Sequence, residues 1–88
     1  STSVDDLTGF YKVKAGISSK DFLSVEFFAR NVGTTKWLSQ GVDTGAPYSI
    51  FIDPLDFPKK KIELRAIARN SKGEDFAFPI TRLTISAP

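Results

Sequence analysis

The sequence predicts an all-β protein: an antiparallel β-sandwich of six or seven short strands. Apolar and polar residues alternate with period two in successive segments, which places neighbouring side chains on opposite faces of a strand. Breaks rich in Gly, Pro and Asn recur at roughly 8 to 12 residue spacing, the rhythm of a sandwich or, as the second choice, a barrel. No stretch sustains a helical period.

The first strand is predicted over Phe10 to Ser18, with Tyr11, Val13, Ala15 and Ile17 on one face and Lys12, Lys14 and Ser18 on the other. The second is predicted over Phe22 to Arg30, with Leu23, Val25, Phe27 and Ala29 inward, before the Asn31-Val32-Gly33 turn. Thr35 to Gln40, containing Trp37 and Leu38, suits a short edge strand ahead of a loop over Gly41 to Pro47. Tyr48, Ile50 and Ile52 alternate with Ser49 and Phe51 until Pro54 and Pro58, which lack a ladder donor, end the run. Leu55 or Phe57 is the expected apolar plug of that loop.

Lys61 to Asn70 alternates most clearly, with Ile62, Leu64, Ala66 and Ala68 on one face. Asn70-Ser71-Lys72-Gly73 reads as a hairpin turn, since Asn and Gly tolerate positive φ. The last strand runs from Glu74 to about Ser86 and changes phase: Phe76, Phe78 and Ile80 are even-numbered, Leu83 and Ile85 odd. A bulge between Pro79 and Arg82 would restore the inward face.

At 88 residues the chain suits one domain, burying roughly 60 to 65% of its unfolded surface. Residues 1–6 are read as a linker or tag remnant and residues 7–88 as the domain. With 41% hydrophobic and 25% charged residues the composition is that of a folded chain, and without cysteine or histidine neither a disulfide framework nor a zinc site supports the core. The net charge of +2 is mild, and the one cationic run, Lys59 to Lys61, reads as a solvated turn guarding a strand start. Nucleic acid is therefore not an expected partner, and no apolar run approaches the ~18 residues of a membrane span.

Three segments occur in a specific order: Val25-Glu26-Phe27-Phe28-Ala29, Gly45-Ala46-Pro47-Tyr48-Ser49, and Ile62 through Ala66, Ala68 and Asn70 to Gly73. Together they resemble the bacterial Ig-like family over roughly Leu7 to Ile85, through its "V-E-F-F" strand, its "A-P-Y-S" strand entry and its "A-x-A-x-(D/N)-x-x-G" strand and turn. The resemblance implies an immunoglobulin-like, fibronectin III-like sandwich. It also implies an accessory module of a secreted or cell-surface bacterial protein, of the kind found in tandem or beside catalytic modules of glycoside hydrolases. Two departures stand out. The family's first strand is shortened or missing, and Arg69-Asn70 replaces the commoner Thr-Asp, so no metal role is carried over to that turn.

The chemistry of catalysis is sparse. There is no His or Cys, no Gly-rich phosphate loop and no Ser in a strand-turn-helix nucleophile setting. The carboxylate pairs Asp5-Asp6, Asp53-Asp56 and Glu74-Asp75 read as turn chemistry rather than a facing pair across a cleft. A calcium site drawing on Asp43, Asp53 or Asp56 would lack the alternating spacing of calcium loops. The expectation is a non-enzyme with no catalytic, cofactor-binding or metal residue, and no cofactor.

Strand phase leaves Phe28, Ile67 and, less firmly, Trp37 on the face opposite the core, as a candidate ligand or docking surface. Against this stands a plainer reading, in which edges and loops cover that surface or Trp37 turns inward. The expected role is a spacer or interdomain packing unit, monomeric, outside the cell, with neighbouring domains of its parent chain as partners. The alternatives are a polysaccharide-binding module using Trp37 and an adhesin stalk domain.

Overall fold

The computed structural model describes residues 2–7, 10–16, 22–57 and 61–84, with the backbone alone at 3 and 5–7. Its strands are β1 (Thr2–Leu7), β2 (Phe10–Ala15), β3 (Ser24–Asn31), β4 (Leu38–Asp43), β5 (Ser49–Ile52), β6 (Lys61–Arg69), β7 (Asp75–Ala77) and β8 (Thr81–Thr84). One sheet has the order β1-β2-β5. The other has the order β4-β3-β6, with β7 and β8 both paired to β6. All pairings are antiparallel, and the two sheets form a sandwich.

The predicted alternation fills the space between the sheets. Tyr11, Val13 and Ala15 from β2, Val25, Phe27 and Ala29 from β3, Ile52 from β5, and Ile62, Leu64, Ala66 and Ala68 from β6 are all buried. Alanines on β6 oppose larger residues: Ala66 pairs with Phe27 and Ala68 with Val25, so small faces large across the ladder. The Tyr48 hydroxyl is satisfied by donating to the Phe22 carbonyl at 2.8 Å.

The last strand, predicted as one run from Glu74, is two, β7 and β8, and the phase change falls in the break between them. Ile67 pairs with Ala77 and Ala68 with Phe76, but Leu64 pairs with Thr81 and Ile62 with Leu83, a register shifted by one residue. The extra residue falls between Phe78, whose N–H reaches the Ala66 carbonyl at 2.9 Å, and Thr81. Phe78 and Leu83, of opposite parity, therefore both pack against the core, while Phe76 and Ile80 stay half exposed at the edge.

Several expectations are corrected. Thr2–Leu7 is a strand rather than a linker, and the first strand is present: it pairs with β2 from Thr2↔Ala15 to Leu7↔Phe10. Val4 packs on the core, and the Thr2 and Thr81 hydroxyls meet at 2.7 Å, tying β1 to the opposite sheet. The segment is too polar to announce itself; β2 supplies its hydrogen bonds. The edge strand β4 lies three residues later than predicted and takes in Gly41 to Asp43, leaving Trp37 just before it. Leu23 is 60% exposed because β3 starts one residue beyond it.

Between β5 and β6, Phe57 is the plug at 3% exposure and Leu55 is 82% exposed. Asp53 caps a 3₁₀ turn over Pro54–Asp56, its carboxylate accepting from the Leu55 N–H at 2.9 Å. Gly73, with φ of 79°, closes the turn from β6 to β7 in a conformation that side chains other than Asn and Asp rarely adopt. The expectations for Ile17, Ser18, Pro58, Lys59, Lys60, Ile85 and Ser86, and for the side chains of Asp5 and Asp6, lie outside the described residues.

Candidate functional site

Alternation that sends Val25, Phe27, Ala29, Leu64, Ala66 and Ala68 inward sends Glu26, Phe28, Arg30, Glu63, Arg65 and Ile67 to the outer face of the larger sheet. Register then sets these outward residues in rungs across β3 and β6: Glu26 opposite Ile67, Phe28 opposite Arg65, Arg30 opposite Glu63. The face therefore runs from a mixed apolar and acidic end to an arginine-rich end.

At the first end lies a shallow depression of ≈ 220 Å³, lined by Ser24, Glu26, Phe28, Val42, Ile67, Arg69 and Asp75. Phe28 and Ile67 are half-buried in it. The polar lining is internally paired. Arg69 donates from Nε to Asp75 Oδ1 at 2.8 Å, and the Ser39 hydroxyl donates to Glu26 Oε2 at 2.7 Å. The Arg69 guanidinium holds the Asp75 carboxyl below its ordinary value.

At the other end Trp37, half-buried, lies against two cations. The Arg30 guanidinium carbon is 4.1 Å from the indole centroid and that of Arg65 is 5.3 Å away, both within cation–π range. Trp37 is thus neither a core aromatic nor a bare platform. Arg30 donates through Nε to Glu63 Oε1 at 3.0 Å, and Arg82 of β8 donates through Nε to Oε2 at 3.3 Å. Covered by these neighbours, Glu63 is only 8% exposed although it faces away from the core. Its hydrogen bond from Arg30, aided by Arg82, lowers its pKa despite the opposing effect of burial.

Arg65 is different. Its Nε is buried and has no hydrogen-bond partner among the described residues. Arg30 and Arg82 thus share one carboxylate, and Arg65, which lies nearer the depression, makes no ion pair among the described residues.

Of the residues that strand phase singled out, Phe28 and Ile67 come together in one depression. Trp37 joins them through Arg65, which contacts its ring and is the register partner of Phe28. Sequence reasoning did not single out Arg30, Glu63, Arg65 or Arg82. The available signal was parity: Arg30 shares its face with Phe28, and Glu63 and Arg65 share theirs with Ile67.

Asp43 and Asp53 hold loops. Asp43 accepts from the N–H groups of Gly45 at 3.0 Å and Ser49 at 2.9 Å, which lower its pKa and pin the loop between β4 and β5. Among the described residues no three His, Cys, Asp or Glu side chains cluster as metal ligands would, and no helix is long and apolar enough to cross a membrane. No family model, curated protein or solved structure matches the chain.

Proposed function

We propose that this domain is a non-catalytic spacer or packing module of a larger secreted or cell-surface bacterial protein, such as a polysaccharide-degrading enzyme. The observation that carries this reading is the direction of its outer strands. β1 is antiparallel to β2, and β8 is antiparallel to β6. Both run away from the end that holds the β4–β5 and β6–β7 loops, so flanking chain on the two sides would leave at opposite ends of the strands. A module traversed in this way adds length when placed in series. The orders β1-β2-β5 and β4-β3-β6-β7/β8 support an immunoglobulin-like sandwich of the fibronectin III kind, a fold that hosts many roles and implies none of them.

The test is small-angle scattering on two copies joined in series. A maximum dimension near twice the 40 Å long axis agrees with end-to-end spacing; a dimension close to that of one copy refutes it.

A second reading, a carbohydrate-binding module using Trp37, is favoured by one observation. The indole is held in place on the sheet face by Arg30 and Arg65, beside a depression whose lining mixes apolar and polar side chains. The depression, beside an indole that its arginines hold, suits a sugar ring.

A further inference from the structure

We propose that the outer face of the larger sheet binds a carboxylate-bearing sugar, a uronic acid residue within a polysaccharide, with Arg65 reading the carboxylate. This rests on the carbohydrate-binding reading and narrows it to one ligand chemistry.

Charge is the first support. Arg30 and Arg82 share a single anion, Glu63, and Arg65 adds a further cation beside Trp37. Glu63 is taken by Arg30 and Arg82, whereas among the described residues Arg65 has no anion and its buried Nε no acceptor. The buried Nε is out of a ligand's reach, so a carboxylate would meet the Nη edge of the guanidinium, a planar pair of donors that matches it.

Placement is the second support. Arg65 stands between the indole and the depression: its guanidinium is 5.3 Å from Trp37, and Ile67, two residues along β6, lines the depression. Two strand residues span about 7 Å, the scale of one sugar residue. A ring over Phe28 and Ile67 would meet apolar side chains beneath it and Ser24, Glu26, Arg69 and Asp75 around it, while its carboxylate reached Arg65.

The position within the sheet is the third. β3 and β6 are paired along their lengths, so this face offers no free backbone groups to an extended peptide. Recognition must come from side chains alone, and Trp37 is already held by its arginines. A ring bearing an anion fits that better than a chain seeking strand partners.

Trp37 is the only tryptophan and therefore the reporter. Its emission is titrated with oligogalacturonate, oligoalginate, neutral galacto-oligosaccharides, xylo- and cello-oligosaccharides, and polyglutamate, with calorimetry alongside in case the indole is silent. The expected result is saturable binding to a uronate series, at least tenfold weaker for neutral sugars and weakened by salt. Arg65→Met should lose at least tenfold while keeping the circular dichroism of the parent. Equal affinity for neutral and acidic sugars, or unchanged uronate binding by Arg65→Met, would overturn the uronate inference and leave carbohydrate binding standing. Response to polyglutamate alone would point to an acidic protein surface, and response to nothing would remove both readings.

Discussion

The Arg30 guanidinium sits 4.1 Å from the centroid of the Trp37 ring, which fixes the only indole of the chain on the outside of the sandwich. Arg30→Ala should therefore shift Trp37 emission to longer wavelength, as the ring loses its cover and gains water. The lost cation–π contact is worth about 1 kcal/mol. An unchanged spectrum would mean that Arg30 does not cover the ring in solution.

Arg65 leads to an opposite expectation for stability. Because its buried Nε lacks a partner among the described residues, Arg65→Met removes an unsatisfied donor while keeping a long apolar stem. Denaturant unfolding should change by no more than about 1 kcal/mol, since the lost contact with Trp37 and the relieved donor oppose one another. A loss of several kcal/mol would show that Arg65 serves the fold.

Two leucines separate packing from exposure. Leu64, buried between the sheets opposite Ala29, should cost about 2 to 5 kcal/mol when changed to Ala. Leu55, at 82% exposure, should cost no more than about 0.5 kcal/mol. Urea melts of the two variants measure the difference, and comparable losses would contradict the assignment of Phe57 as the plug.

The β4–β5 loop depends on Asp43, which accepts two backbone N–H groups. Asp43→Ala should cost about 1 to 2 kcal/mol and speed amide exchange at Gly45 and Ser49. Unaltered exchange at both amides would show that other contacts hold the loop.

Acid should weaken the fold. Asp43, Glu63 and Asp75 all have folded-state pKa values below their ordinary 3.8, 4.5 and 3.8. The unfolded chain therefore binds protons first as pH falls, and these contributions, complete above the ordinary values, are lost through the lower folded ones. Unfolding free energy should be smaller at about pH 3 than at about pH 7, with a shallower decline in Glu63→Gln. A flat profile from neutral to acid would show that the three carboxylates gain nothing on folding.

Most of the sandwich was legible because a strand's inward face is a local property. Val25, Phe27 and Ala29, and Ile62, Leu64, Ala66 and Ala68, declare their side by period alone, and the parity break between Phe78 and Leu83 declares the bulge. Thr2–Leu7 was hidden because its polar residues become a strand only when β2 offers a ladder. The candidate site was half legible: parity turned Phe28 and Ile67 outward, but Trp37 lies just before β4, where no periodicity says which way it faces.

Alternation and turn chemistry, which need only neighbours in the chain, were enough to specify strands, an all-β class and an inward set of residues. The partners of Trp37, the burial of Glu63 and the place of Arg65 beside the indole depend on residues up to 52 positions apart, Arg30 to Arg82, meeting across three strands. Those meetings follow from register, and register is settled when the two sheets close on one core.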